Sequence, residues 1–139
     1  MLDPIQASLR TAVSGMDAQS VRLRIITENI ANAESTGDAT GLDPYQRKTV
    51  TFASEVDRLT GAQLVRVRNI GVDESPFKME LDPGNPAADE RGFVKRPNVD
   101  MLVEMADMRE ANRSYEANLQ VARQAGELMN MSVNLLKDV

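Results

Sequence analysis

Two apolar stripes with helical spacing occupy the ends of this chain, and they restrict its architecture more than anything between them. Leu2, Ile5, Leu9, Ala12, Met16, Gln19, Leu23, Ile26 and Ile30 alternate steps of three and four residues. Met101, Met105, Met108, Asn112, Tyr115, Leu119, Ala122, Gly126, Met129, Val133 and Leu136 do the same. Such steps draw a narrow seam along a helix, the pattern of a coiled coil. Pro4 suits the first turn of a helix, and Asp3 before it is a suitable cap. A neighbouring stripe, Ala111, Val121, Ala125, Leu128 and Leu135, widens the apolar face of the C-terminal helix beyond what one partner helix buries. Several partners are therefore expected there. Ala12, Gln19, Asn112 and Gly126 weaken the seams, so an isolated helix pair is marginal and its termini are expected to fray and to order on assembly.

Between the seams the period changes from helical to two. In "YQRKTVTF", Tyr45, Arg47, Thr49 and Thr51 alternate with Gln46, Lys48, Val50 and Phe52, and in "LVRVRNIGV" Val65 and Val67 alternate with Arg66 and Arg68. "FKMEL" and "GFVK" flank the turn-rich "DPGNPAADER" and read as a third and fourth strand. The run "STGDATGLDPY" gathers Gly37, Gly41, Asp43 and Pro44 and reads as a mobile loop. The fold class expected is mainly α with a small β insert, the long terminal helices forming an antiparallel coiled coil. Its segments are a helix over 1–34, a loop over 35–44, a β-rich insert over 45–97 and a helix over 98–139, the helices forming one inner domain. Pro97 keeps the residue before it out of the helical region, and Asn98 or Asp100 can cap the helix that follows.

Composition narrows the chemistry. The 139 residues include no Cys and no His, which removes thiol nucleophiles, imidazole bases, disulfides and the usual zinc sets. Serines without an imidazole lack their common activator, and Asp82, Asp89 and Glu90 lack the alternating ligands of a calcium loop. No catalytic residue, cofactor or metal site is expected. A net charge of -5 argues against nucleic acid and anionic membrane surfaces as partners. No apolar run approaches a membrane span, and "MLDPIQASLR" has neither the basic nor the apolar region of a cleaved secretory signal. The methionines at helical spacing suit packing surfaces that must adapt.

The motifs also carry a resemblance. "NIANAEST" at Asn29–Thr36, following "SGM" at Ser14–Met16, resembles the N-terminal signature of the flagellar axial proteins, the rod and hook family. "DPYQRKTVTF", "LDPGNPAADERGFVKRPNVDMLVEM" and "REANRSYEANLQ" are similar to the proximal-rod members of that family, with Phe93 where the pattern often has Tyr. The resemblance covers essentially the whole chain.

It implies a structural subunit that is exported unfolded by the flagellar type III apparatus without signal cleavage. Such a subunit stacks helically into a hollow rod in the periplasm, with the terminal helices around the export channel and the β insert outside. Implied partners are copies of itself, other proximal and distal rod proteins, the rod/MS-ring junction protein and the export apparatus. Assembly residues implied by the motifs are Asn29, Ala31, Asn32 and Thr36, then Pro97, Asn98, Val99, Glu104, Met105, Arg113, Tyr115, Ala117, Asn118 and Leu119. The seams add Leu9, Met16, Leu23, Ile26, Ile30, Met129, Val133 and Leu136. Asn29 and Asn32 lie three apart, where their carboxamides can meet a neighbouring backbone. A free-standing coiled-coil adaptor, a hook or distal-rod protein, and an enzyme are the competing readings.

Overall fold

The structure is a computed structural model that describes residues 2–137, with side chains from Pro4 onward. The side chains of seam residue Leu2 and of the expected cap Asp3 lie outside the described residues. A helix α1 (Leu2–Ala31) leads into strands β1 (Lys48–Val56), β2 (Gln63–Val72), β3 (Lys78–Leu81) and β4 (Phe93–Arg96), and a helix α2 (Met101–Lys137) closes the chain. β1 and β2 form one two-stranded sheet and β3 and β4 another. This is the expected mainly helical chain with a small β-rich middle. The first strand starts at Lys48, three residues later than its alternation suggests, although the Arg47 carbonyl just before it accepts the Asp73 amide at 2.8 Å. Where frayed ends are expected, the described residues carry unbroken helices.

The chain folds as two compact units. One holds the chain up to Leu23, Thr51–Asn69 and the chain from Arg109. Here Ala12, Ala18, Ala111 and Ala125 are buried. A methyl at Gly15 would lie 2.7 Å from Asn118 Nδ2, and Pro4, Ile5 and Ser8 share a groove with Val121, Ala125 and Leu128. Positions falling along α1 therefore meet positions rising along α2, and the helices are antiparallel. The turn after β1 closes on Asp57, whose carboxylate accepts from the Leu59 amide at 3.0 Å, Thr60 Oγ1 at 2.9 Å and Arg10 Nη1 at 2.6 Å. These contacts hold the Asp57 carboxyl below its usual range, the Leu59 amide most strongly, then Thr60 and then Arg10. Gly61 completes the turn with φ +68, a conformation that favours glycine. Ser14 Oγ accepts from the Val65 amide at 3.1 Å, fixing β2 to α1.

In this unit the packing stripe shares Ala12 with the expected seam and otherwise departs from it. Its centre holds Ala12, Gly15 and Ala18 on α1 and Ala111, Asn118 and Ala125 on α2. The seam residues Leu9, Met16, Leu23, Tyr115, Leu119 and Met129 are only half-buried, Gln19 is half-buried with an unpartnered Oε1, and Asn112, Val133 and Leu136 are exposed. Small side chains let two helices approach closely, and the larger neighbours are pushed to the flanks. Each alanine methyl contributes less than about 1 kcal/mol of burial, against about 1.5–3 kcal/mol for a leucine, so this stripe binds its own partner weakly.

The other unit holds Arg24–Val50 and Ile70–Met108. Ile25, Ile26, Val94 and Val99 form its apolar core, with Asn29, Asn98 and Glu104 buried among them. β3 and β4 pair antiparallel with Lys78 opposite Arg96 and Leu81 opposite Phe93. The acids of the intervening loop make turns: Asp89 Oδ1 accepts from the Arg91 and Phe93 amides, both at 2.9 Å, and Asp82 Oδ2 accepts from Asn85 Nδ2 at 3.3 Å. The segment read as a mobile loop is tied down. Thr40 Oγ1 donates to the Ala88 carbonyl at 2.9 Å and to that of Pro86 at 3.2 Å, and Gly37 leaves no room for a side chain against the Leu42 carbonyl.

Candidate functional site

Two features stand out, a saturated polar cluster inside one unit and apolar side chains left exposed along α2. The cluster begins at the end of α1. Asn29, on its last turn, is buried, and its Nδ2 donates to the Lys48 carbonyl at 3.0 Å and to Glu104 Oε2 at 3.3 Å. Its Oδ1 accepts from the Lys48 amide at 2.9 Å and from the Tyr45 hydroxyl at 2.7 Å. Both donor hydrogens and both lone pairs of the carboxamide are engaged. The side chain thus pairs with Lys48 as an adjoining strand would, and starts β1. Asn32, one turn on, donates Nδ2 to the Glu28 carbonyl at 2.8 Å, which also accepts the Asn32 backbone amide at 3.2 Å, so residue and helix end are tied twice.

Glu104, in the first turn of α2, is fully buried and takes Arg47 Nε on Oε1 opposite Asn29 on Oε2. Arg47 Nη1 also lies 3.6 Å from Asp73 Oδ2, and the Arg47 amide donates to Asn98 Oδ1 at 2.8 Å. Asn98 Nδ2 reaches the carbonyls of Asp73 at 2.9 Å and Ser75 at 3.1 Å. Asp73 is held below the usual carboxylate range by the Ser75 amide first, then the Ser75 hydroxyl and Arg47. Burial, followed by the charges of Glu28 and Glu104, raises the Tyr45 hydroxyl above its ordinary value. With Asn98 so occupied, Asp100 caps α2, its Oδ1 accepting from Leu102 N at 3.0 Å and Val103 N at 3.4 Å.

Of the residues singled out in the sequence, this cluster brings together Asn29, Asn98 and Glu104, with Ile26, Pro97 and Val99 buried beside them. The carboxamide of Asn29 does meet a neighbouring backbone, and it is that of its own β1. Ile30, Asn32, Thr36 and Asn118 are half-buried, while Ala31, Met105 and Arg113 are exposed, as is Ala117. Tyr45, Arg47, Lys48 and Asp73 escaped notice as site residues. Tyr45 and Arg47 share one strand face in the alternation, but nothing local marks which charged residue of a half-polar strand finds a buried acid.

The second feature is apolar. Leu102 is 78% exposed, Leu128 52%, Met131 60%, Leu135 70% and Leu136 72%. Isolated exposed leucines are ordinary, but a succession along one helix marks a contact surface. Among the described residues no helix is long and apolar enough to cross a membrane, and no group of three acidic, His or Cys side chains is placed to hold a metal ion.

Comparison with known proteins agrees with this architecture. A family model described as "Flagella basal body rod protein" matches residues 9–37, and one described as "Flagellar basal body rod FlgEFG protein C-terminal" matches residues 90–135. Helical ends, a β-rich middle and these two matches define a flagellar basal-body rod protein, a structural protein of motility. The chain is 60% identical over 136 residues to the flagellar basal-body rod protein FlgC of Agrobacterium fabrum, covering 98% of each. It is 43% identical over 121 residues to FlgC of Aquifex aeolicus, covering 86% of this chain and 87% of that one. With FlgC of Salmonella typhimurium the identity is 39% over 126 residues, covering 89% and 92%. The chain belongs to the FlgC family, whose members are structural subunits of the flagellar basal-body rod and assemble with other rod proteins.

Proposed function

We propose that this subunit builds the proximal part of the rod by helical stacking, its terminal segments 1–34 and 98–139 forming an inner domain around the export channel and the β-rich insert 45–97 facing outward. The observation that carries this reading is the row of large apolar side chains that α2 leaves exposed, Leu128, Met131, Leu135 and Leu136 foremost. Removing such a row from water is the main driving force available to a protein whose helices, in the unit that holds this row, bury mostly alanine between them.

The contact residues are then that row together with the less buried members of the two seams, Leu9, Met16, Leu23 and Ile30 on α1 and Met105, Tyr115, Leu119, Met129, Val133 and Leu136 on α2, and Arg113 of the motif. Asn29, Asn98 and Glu104 serve assembly from inside, by fixing where α2 begins relative to β1. Neighbours are copies of the chain, proximal and distal rod proteins and the protein joining rod to MS ring. The subunit reaches the periplasm through the type III export apparatus without a cleaved signal. Its work is mechanical, the transmission of torque through buried contacts, and no catalysis is assigned to it. Replacing Leu128 and Leu135 together with Glu tests the reading. Rod incorporation and motility should be lost while the helical circular dichroism of the free subunit is kept; rods that assemble normally with both glutamates would overturn it.

A further inference from the structure

Among the described residues the outer edge of β3 is unpaired, and the sequence along it is self-complementary. Asp82 N donates to the Gly92 carbonyl at 2.9 Å, which sets the alternation of the ladder. Lys78 and Glu80, opposite Arg96 and Val94, share its parity and turn their peptide groups toward β4. Met79 and Leu81 therefore turn theirs outward, where no strand pairs with them. All four β3 residues are exposed, Met79 at 54% and Leu81 at 62%.

We infer that this edge pairs with the same edge of a second copy, antiparallel about Met79. In that register Met79 faces Met79 of the second copy as a hydrogen-bonded pair, and Phe77 faces Leu81. Lys78 then stands opposite Glu80 in both directions, as a non-hydrogen-bonded pair whose side chains approach most closely. The segment Phe77–Leu81 reads apolar, basic, apolar, acidic, apolar, so a two-fold axis through Met79 maps each charge onto its opposite. Charges that merely guard an edge repel a second copy, whereas these attract one: Glu80 takes Arg96 Nε at 2.7 Å on one oxygen and Lys78 Nζ gives one hydrogen to the Val99 carbonyl at 2.9 Å, which leaves each with bonding capacity for the other copy. Met79, Leu81 and Phe93 also lie on one face with Leu42 nearby, all exposed, and pairing carries that apolar patch across the axis. The contact is isologous and uses up its own surface, so it closes a pair of free subunits and does not propagate a filament. It is independent of the helix faces assigned to rod assembly.

Sedimentation of the full chain from micromolar to millimolar concentration should show a reversible dimer. Lys78→Glu or Glu80→Lys alone sets like charges opposite each other twice and should weaken it about tenfold or more. Mixing the two single variants should restore dimer, now as a heterodimer, and the double exchange in one chain should restore the homodimer. Circular dichroism confirms that each variant is folded. A second readout leaves the charges intact: in this cysteine-free chain, Met79→Cys should oxidise to a covalent dimer much faster than Arg66→Cys, another exposed strand position. A monomeric wild type throughout, a dimer indifferent to the single reversals, no recovery on mixing, or equal oxidation at the two cysteines would each overturn the inference.

Discussion

The two units of this chain draw on the same two helices and use them in opposite ways. Where α1 ends and α2 begins, contact is made through a polar cluster in which Asn29 has every bonding position filled and Glu104 is fully buried against Arg47. In the other unit the contact is a stripe of Ala12, Gly15 and Ala18 against Ala111, Asn118 and Ala125, with larger apolar groups left outside. The first arrangement specifies one geometry, because any shift strands a buried charge or amide. The second holds its own chain lightly and keeps its apolar surface for others. A subunit of an assembled rod has use for both.

The largest effect is expected in the polar cluster. Glu104→Ala leaves Arg47 and Asn29 without their buried partner and should destabilise the fold by about 3–5 kcal/mol in urea titrations, as removal of one member of a buried ion pair does. A loss within the range of an exposed substitution would mean the cluster is ornamental. Gly15→Val, which drives side-chain atoms into the Asn118 carboxamide, should cost about 1–3 kcal/mol. Adding Asn118→Ala should recover part of that loss, and simple additivity of the two changes would deny the close approach.

Acid should act on both units. Asp57 and Asp73 each have a folded-state pKa below the unfolded value near 3.8, so the ionised carboxylate favours the folded chain. Their contribution is complete above that value and is lost as pH falls through the lower, folded one. The urea midpoint should therefore decline below about pH 4. Asp57→Asn should flatten the part of that decline belonging to the turn between β1 and β2, and an unchanged slope would count against it. The smallest effect belongs to the exposed row: Leu128→Ser should alter the stability of the free subunit by no more than about 0.5 kcal/mol. A larger loss would show that this leucine serves its own fold.

Much of this organisation was legible in the sequence. Steps of three and four marked both helices, because an apolar face must recur each turn, and the change to period two marked the insert. Helix limits followed from local chemistry at Pro97 and Asp100. The resemblance carried by "NIANAEST" and the later motifs pointed to the rod family that the comparisons then showed. The packing register was not legible. The expected seams followed leucine and methionine, and a neighbouring stripe was marked on α2 alone. The helices instead meet on the stripe with alanine and glycine, since close approach depends on how small the facing side chains are.

The elements and their order follow from local sequence, because periodicity, caps and turn residues act over a few neighbouring positions. Long-range folding alone brings Asn29 to Lys48, Tyr45 and Glu104, and Arg47 to a buried acid 57 positions away. Such partners are chosen by where the folded backbone brings polar groups out of water together, and a buried carboxamide or carboxylate accepts whichever complement that geometry supplies.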